Sequence, residues 1–297
     1  MNKNRVITKA IDSGTSKVSD YLMLSKFRLS LFVVISSVLA YVIVVGTAIS
    51  LPIMLMLAFG GFCCTAASNG LNQVLEKDFD KLMVRTQTRP LPANRMKSSE
   101  AVLFSGIMLL IGIVVLSWIN PLTSFLAMIS VVLYAFVYTP LKRHTTLSVA
   151  IGAIPGALPV LIGAAAGSGT ITLLGIVLFL IQFLWQFPHF WAIGWLSFDD
   201  YNKAGYKLLP INQQGEIHQK LGWHMLIYAL VLIPVSVLPV VYTEINILAA
   251  LLIGLTGVYY AYVSYKFYIN QTRPTALKVM FTSFFYLPIV LMLYMFL

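Results

Sequence analysis

The sequence predicts an all-helical membrane protein, a bundle of nine transmembrane helices. Its 297 residues are 59% hydrophobic and 10% charged, whereas soluble domains contain about 25% charged residues. The apolar residues form continuous runs of about 18 or more, long enough for a helix to cross ~30 Å of hydrocarbon and unlike the alternating segments of a barrel. The predicted spans, within one membrane-embedded domain covering 1–297, are 29–49, 51–71, 101–118, 120–138, 147–167, 171–196, 221–241, 246–265 and 279–297.

The basic residues predict the orientation of these spans. All twenty Lys and Arg residues lie in the polar segment 1–28, which lacks the apolar core of a signal peptide, or in and beside the alternate loops 72–100, 139–146, 198–220 and 266–275. Short cytoplasmic loops are enriched in Lys and Arg. We therefore expect a multi-pass protein of the plasma (inner) membrane, with its amino terminus and these loops in the cytoplasm. The net charge of +10 follows from this topology and does not indicate nucleic-acid binding.

The two cysteines, Cys63 and Cys64, are adjacent within the second span. Neighbours in sequence are too close for an ordinary disulfide, and this pair lacks the spacing of a metal or redox motif. We expect both to be small buried residues.

Charge is concentrated after the second span, where residues 72–92 read NQVLEKDFDKLMVRTQTRPLP. If the helix continues, Asn72, Glu76 and Asp80 recur every four residues and share one face, with Asp78 on another side. Oxygen ligands at a helix end suit Mg²⁺, which completes its octahedron with water and phosphate. The alternative is a solvated loop whose acids pair with neighbouring bases, but the position beside a membrane span favours a functional site.

A second acidic cluster follows the sixth span, in WQFPHFWAIGWLSFDDYNKAGYKLLP at 185–210. Asp199 and Asp200 are expected at the same depth as Asp80. Two facing acidic clusters would hold Mg²⁺ ions, bridge a diphosphate and neutralise the charge that develops when it leaves. The predicted catalytic and metal-binding residues are Asn72, Glu76, Asp80, Asp199 and Asp200.

These blocks resemble the UbiA superfamily of intramembrane prenyltransferases. The first aspartate-rich motif of that superfamily has an Asn, an acidic residue four positions later and an Asp four positions after that, which residues 72–80 match. VYTPLKRHT at 137–145, GAIPGALPVLIGAAAG at 152–167 and the block at 185–210 resemble the branch that prenylates heme. The match runs over most of the chain.

Three positions depart from the family pattern. Glu76 stands where Asp is more usual, Phe27 stands where the first block often has Pro, and Lys203 stands where the second spaced pair of aspartates would end. The adjacent acid pair that remains is typical of the heme branch. This supports the narrower resemblance and leaves the second metal shell open.

The resemblance implies a UbiA-type bundle around a cavity open to lipid, with Mg²⁺ as cofactor and farnesyl diphosphate and heme B as substrates. The implied reaction transfers the farnesyl group to a heme vinyl group, with addition of water, and gives heme O and diphosphate. The resemblance also implies two candidate protein partners, namely heme A synthase and terminal-oxidase assembly proteins. The substrate-binding residues predicted on this basis are Lys26, Arg28, Asp78, Lys81, Arg85, Arg89, Tyr138, Lys142, Arg143, His189, Tyr201 and Lys203.

Aromatic rings around such a cavity would attract a farnesyl cation. Each candidate ring fits core packing or an interfacial anchor as well. His189, placed within a span, fits an axial heme ligand and a structural histidine equally. The candidate rings are Tyr138, Trp185, Phe187, Phe190, Trp191 and Tyr201.

Two other functions remain open. A prenyltransferase acting on an aromatic quinone precursor would share the first acidic motif, although the PHFW and DDYNKAG segments argue against it. A secondary transporter fits the hydropathy alone. Transporters place charged groups near the bilayer midplane, however, whereas the charged groups here stay at the ends of the spans.

Overall fold

The computed structural model describes residues 16–241 and 246–296, so residues 1–15 of the predicted amino-terminal segment lie outside the described ranges. Within those ranges, nine helices are long and apolar enough to cross a membrane, which confirms the predicted fold class. The only β-structure there is an isolated bridge between Ile211 and Ile217. The spans are α2 (Phe27–Val45), α3 (Leu51–Leu75), α5 (Ser98–Ser117), α6 (Pro121–Val132), α8 (Ser148–Ser168), α9 (Leu173–Leu196), α11 (Lys220–Val237), α12 (Ile247–Ile269) and α13 (Arg273–Tyr294). The span that begins with α6 is continued by a π-helical turn at Leu133–Tyr138 and by α7 (Thr139–Leu141). The shorter elements are α1 (Lys17–Leu24), α4 (Lys77–Asp80), α10 (Phe198–Lys203) and a 3₁₀ turn at Leu238–Val241.

Several helix ends differ from the predicted spans because local backbone chemistry sets them. α2 ends at Val45, earlier than predicted, since Gly46 adopts φ +58°, a left-handed conformation that ends helices. α13 begins at Arg273, earlier than predicted, because Thr272 and Thr275 form a capping box there.

Helix α8 lies at the centre of the bundle. In the most apolar stretch of α8, 72% of the residues are buried inside the protein, which is a larger share than in any other described span. Small residues allow neighbouring helices to approach it closely. The helix continues through Pro155 and Pro159, and the carbonyl that Pro159 leaves free, that of Pro155, accepts a hydrogen bond from Ser130 Oγ at 3.2 Å.

Gly163 sets the distance between α8 and α2. A Cβ at this position would lie 1.9 Å from the carbonyl oxygen of Ser37. We expect Gly163→Ala to push the two helices apart and to lower the free energy of unfolding by about 1–3 kcal/mol, measured as a lower melting temperature in detergent. The matched control is Gly106→Ala, because a Cβ there would meet no atom of the described residues within 4 Å. Equal losses in the two variants would contradict this role for Gly163.

The cysteines lie where α3 packs against α5. Cys63 and Cys64 are free thiols and both are buried, which confirms the prediction from their spacing. A Cβ added to Gly112 of α5 would come within 2.6 Å of Cys64 Sγ. The two thiols therefore serve as small residues at a close helix contact.

One end of the bundle carries a polar cap, which we define as α1 together with the segments 76–97, 142–147 and 197–219. Arg95 anchors α1 to this cap, since its Nε donates to Asp20 Oδ1 at 2.9 Å and both side chains are largely buried. The two acidic segments predicted from the sequence therefore lie at the same end of the bundle.

Candidate active site

The acidic motif forms a single face at the end of α3. The helix does not continue without a break, because α3 ends at Leu75, α4 begins at Lys77 and Glu76 between them has a non-helical backbone. Two bonds of α-helical spacing nevertheless cross the junction, from the Glu76 amide to the Asn72 carbonyl (3.0 Å) and from the Asp80 amide to the Glu76 carbonyl (2.8 Å). Asn72, Glu76 and Asp80 are 1%, 5% and 0% exposed, whereas Asp78 is exposed and pairs with Lys81 at 2.9 Å. The predicted separation of these three residues from Asp78 is confirmed, although the helix on which the prediction depended is interrupted at Glu76.

Two lysines from other elements meet the first two members of this face. Lys26 Nζ donates to Asn72 Oδ1 at 3.1 Å, and Lys142 forms an ion pair with Glu76. The Asn72 amide nitrogen donates to Glu76 Oε2 (2.9 Å) and to Thr139 Oγ1 (3.0 Å). These two bonds orient the amide so that its oxygen faces Lys26.

Asp80 is the most enclosed acid of the site. Its Oδ2 accepts from Arg89 Nη1 at 2.7 Å, and its backbone carbonyl accepts from Thr86 Oγ1 at 2.8 Å. Its Oδ1 is buried without a hydrogen-bond partner among residues 16–241 and 246–296. A buried acceptor without a donor is costly, so this oxygen is a ready position for a cation.

Burial and charge act in opposite directions on the ionisable groups here. Burial raises the pKa of Asp80, although the Arg89 guanidinium opposes it. Burial would also raise the pKa of Glu76, but the ammonium of Lys142 and then that of Lys26 hold it below its ordinary value. Burial, reinforced by repulsion from Arg89, lowers the pKa of Lys26 to about 7.

The position of Lys26 depends on amide side chains from α3. Lys26 adopts a left-handed backbone with φ +46°, which is unfavourable for a residue with a Cβ. Gln73 Nε2 donates to the Leu24 carbonyl at 2.7 Å, and Asn69 Nδ2 donates to the Ser25 carbonyl at 3.3 Å. Sequence reasoning missed both amides, although polar side chains inside an apolar span were a signal for them.

Tyr206 is a second site residue that sequence reasoning missed. It is buried, and burial together with the neighbouring Glu76 carboxylate raises the pKa of its hydroxyl. The ammonium of Lys142 lies 5.2 Å from the Tyr206 ring and 4.9 Å from the Tyr138 ring, so two aromatic rings flank it. The backbone amide of Lys207 donates to the Lys142 carbonyl at 2.7 Å, which joins the two segments of the cap.

The second acidic cluster is not part of this group. Asp199 is exposed and Asp200 is half-buried, and within 16–241 and 246–296 neither makes an ion pair. No group of three or more His, Cys, Asp and Glu side chains spaced for a metal ion occurs in those ranges. Their helix α10 does approach the site, because Arg85 Nη2 donates to Tyr201 Oη at 3.3 Å. The role of Asp199 and Asp200 as metal ligands therefore stays a prediction.

The remaining predicted bases lie at the edge of the cap. Arg143 stacks on the Phe79 ring, with its guanidinium carbon 4.4 Å from the ring centre. Arg28 and Lys203 are exposed and make no hydrogen bond or ion pair in the described ranges. Three of the predicted bases thus contact the acidic face directly, namely Lys26, Arg89 and Lys142.

His189 lies in the wall between α9 and α13. Its Nδ1 is 2.7 Å from Ser283 Oγ, its ring stacks on Trp185 with centroids 4.8 Å apart, and the edge of Phe284 packs on it at 5.0 Å. A hydroxyl partner therefore satisfies one ring nitrogen. Nε2 makes no hydrogen bond among the described residues, so the ligand interpretation stays a prediction.

The other predicted rings differ in their surroundings. Phe187 is 2% exposed and stacks on Tyr228 with centroids 4.0 Å apart, as a core residue does. Trp191 packs against the same Tyr228 ring, whereas Phe190 is exposed. Phe190 is therefore better placed than Phe187 to meet a ligand.

Residues 33–287 match the UbiA prenyltransferase family. The chain is 40% identical to a protoheme IX farnesyltransferase of Christiangramia forsetii over 97% of this chain and 96% of that protein. It is 38% identical to a protoheme IX farnesyltransferase of Flavobacterium psychrophilum, covering 93% of each.

Solved structures share the fold at lower identity. A structure described as digeranylgeranylglyceryl phosphate synthase superposes with a TM-score of 0.79 at 22% identity, covering 95% of this chain and 98% of that one. A UbiA homolog from Archaeoglobus fulgidus bound to GPP and Mg²⁺ superposes with a TM-score of 0.67 at 15% identity, covering 93% and 99%.

Proposed function

Because the chain belongs to the UbiA prenyltransferase family, we propose that it transfers the farnesyl group of farnesyl diphosphate to a vinyl group of heme B. Water adds in the same reaction, and the products are heme O and diphosphate. The chain is a membrane prenyltransferase, and the relatives at 38–40% identity that cover nearly its whole length support heme as the acceptor.

The observation that carries the proposal is the group of basic side chains around the acidic face. Lys26, Arg89 and Lys142 each contact one oxygen-bearing side chain of that face, so three basic side chains surround two carboxylates. A polyanion such as a diphosphate complements this set of basic side chains. The apolar prenyl tail would then extend among the spans.

The acidic face fits Mg²⁺. It presents amide and carboxylate oxygens, which are the ligands that this ion prefers, and Asp80 Oδ1 is a buried acceptor without a partner. Asn72, Glu76 and Asp80 would hold the ion, with Asp199 and Asp200 as further candidates. When bound, the ion neutralises charge on the departing diphosphate. The metal-bound homolog of the same fold supports this assignment.

The basic residues stabilise the leaving group. Lys26, Arg89 and Lys142 exchange their contacts with the acids for contacts with phosphate oxygens, and Arg85 and Arg143 lie close enough in the cap to add to them. Rupture of the C–O bond leaves the electron pair on diphosphate and the positive charge on the allylic carbon. Charge-assisted hydrogen bonds that strengthen as the bond breaks lower the barrier.

The acceptor step needs a dry, aromatic environment. The π electrons of the heme vinyl group form the new C–C bond, and water adds to the resulting cation and loses one proton, which leaves the hydroxyl group. Ring faces such as those of Tyr138, Trp185 and Phe190 stabilise the cations by about 0.5–2 kcal/mol each. His189 would hold the iron of the heme substrate.

The reaction is tested by the mass of heme extracted from membranes that contain this chain. We expect a gain of one farnesyl group plus water when heme B and farnesyl diphosphate are supplied. Incubation with 4-hydroxybenzoate instead of heme separates this activity from that of a quinone-precursor prenyltransferase. A prenylated benzoate together with unchanged heme would overturn the proposal.

The polar cap faces the cytoplasm, and the chain lies in the plasma (inner) membrane. The basic residues at the capped end support this orientation. Reporter fusions after Arg95 and Lys207 are expected to report cytoplasm, and a fusion after Gly167 the opposite side. A cytoplasmic signal at Gly167 would contradict the alternation of the spans.

A further inference from the structure

Ser283 of α13 forms a connected set of hydrogen bonds next to His189. Its Oγ lies 2.7 Å from His189 Nδ1 and 2.5 Å from the Met280 carbonyl oxygen. Its own carbonyl accepts from the indole nitrogen of Trp185 at 2.8 Å. The hydroxyl of Tyr260 is a further hydrogen-bond neighbour of this side chain, so the Ser283 hydroxyl has three neighbours and one hydrogen to share among them.

The short distance to Met280 determines where that hydrogen lies. Two oxygens 2.5 Å apart repel each other unless a hydrogen lies between them, and this distance belongs to an O–H···O bond. The Ser283 hydroxyl therefore donates to the Met280 carbonyl. Its lone pairs face His189, so Nδ1 of the imidazole must carry a hydrogen and donate it to Ser283.

The tautomer of His189 follows from this arrangement. A neutral imidazole with its hydrogen on Nδ1 has a lone pair on Nε2. Nε2 makes no hydrogen bond in 16–241 and 246–296, and it is not among the enclosed atoms that lack a partner. Trp185 on the face of the ring and Phe284 at its edge restrict rotation of the ring.

We propose that Ser283 is a positioning residue that fixes His189 in the Nδ1–H tautomer and thereby presents the Nε2 lone pair to the iron of the porphyrin substrate. This inference rests on the proposed function, because it takes heme as the acceptor. Histidines that bind metals donate their other ring hydrogen to a neighbouring acceptor, which fixes the ring and makes the ligand nitrogen more basic. Ser283 supplies that acceptor inside the bundle.

The test measures heme B binding to the purified full-length chain in detergent, by titration and by the Soret band. We expect Ser283→Ala to weaken heme binding about 10–100-fold, as loss of such a supporting partner does, and to shift the Soret band. Ser283→Thr retains the hydroxyl and should restore both. Ser283→Cys, which has a weaker acceptor of similar size, should fall between them and provides a second variant if the alanine variant fails to fold.

A double-mutant cycle shows whether Ser283 acts through His189. In a His189→Ala background, Ser283→Ala should cause no further loss of heme affinity, because the ligand that it orients is gone. An equal loss in both backgrounds would overturn the proposal. A Ser283→Ala protein with the affinity and Soret band of the unmodified protein would overturn it too.

Ser264 provides the matched control. Its side chain is buried, and its Oγ donates to the Tyr260 carbonyl of its own helix at 2.9 Å. Ser264→Ala should leave the Soret band unchanged, and a shift as large as that of Ser283→Ala would mean that the band reports general loosening, which overturns the proposal. Heme O formation by the unmodified chain is measured separately, so that failure of the proposed reaction is distinguished from failure of the Ser283 role.

Discussion

Replacing Asp80 with asparagine is expected to lower turnover by about 10²–10³-fold while the protein stays folded. The asparagine amide can direct its oxygen to Arg89, whose Nη1 donates to Asp80 Oδ2 at 2.7 Å in the unmodified protein. The NH₂ group of the asparagine then occupies the position of Asp80 Oδ1. A hydrogen-bond donor thus replaces a carboxylate oxygen that has no hydrogen-bond partner among the described residues. The site loses both a negative charge and a ligand oxygen. Turnover is measured as heme O formed per unit of purified protein across a Mg²⁺ titration.

Two comparisons make this result specific. Asp80→Ala and Glu76→Ala are both expected to abolish turnover, because the two acidic side chains lie on the same buried face. Asp78→Asn should have a milder effect, since Asp78 is exposed and pairs with Lys81. Greater sensitivity at Asp78 than at Asp80 would require the ligand assignment to be redrawn.

Replacing Lys142 with methionine is expected to be almost as severe, and for two reasons. Lys142 is the ion-pair partner of the buried Glu76, and removal of one partner of a buried pair costs about 3–5 kcal/mol. The same change removes the phosphate contact that we propose for Lys142. We therefore expect a lower melting temperature together with a rise in the KM for farnesyl diphosphate.

A second substitution separates the two reasons. In the double variant Lys142→Met with Glu76→Gln, the unpaired buried charge is gone, so the melting temperature should return to that of Glu76→Gln alone while the KM for farnesyl diphosphate stays above that of Glu76→Gln alone. Lys207→Met is the control, because its side chain is exposed. If the double variant and Glu76→Gln alone have the same KM for farnesyl diphosphate, Lys142 has only a structural role.

The sequence predicts most of the fold because hydropathy alone carries the signal for spans. All nine predicted spans correspond to helices, and the errors are confined to their ends. Those ends depend on Gly46 and on the hydroxyls of Thr272 and Thr275. A count of apolar residues does not record such backbone effects.

The site was predicted less completely, for a geometric reason. The spacing of Asn72, Glu76 and Asp80 is a local property of one short segment, so it could be read directly from the sequence. The Tyr206 ring lies 5.2 Å from the ammonium that pairs with Glu76, which brings together residues 130 positions apart in the sequence, and no spacing rule predicts it. Asp199 and Asp200 show the reverse case, because their acidic signal is clear in the sequence but neither makes an ion pair within 16–241 and 246–296, although their helix approaches the site through Tyr201.

The contact of Lys142 and Tyr206 with Glu76 also has a consequence for biogenesis. During membrane insertion α3 is available early, but Lys142 follows the fourth span and the segment that carries Tyr206 follows the sixth. Until both have arrived, the Glu76 carboxylate lacks the Lys142 ammonium that pairs with it and the Tyr206 ring that flanks that ammonium in the folded protein. Spans insert as separate helices before they associate, so the ion pair between Glu76 and Lys142 can form only after the fourth span has been made. Residues 197–219 are the last segment of the polar cap to be made, so the Tyr206 ring joins a pair that the earlier segments already supply.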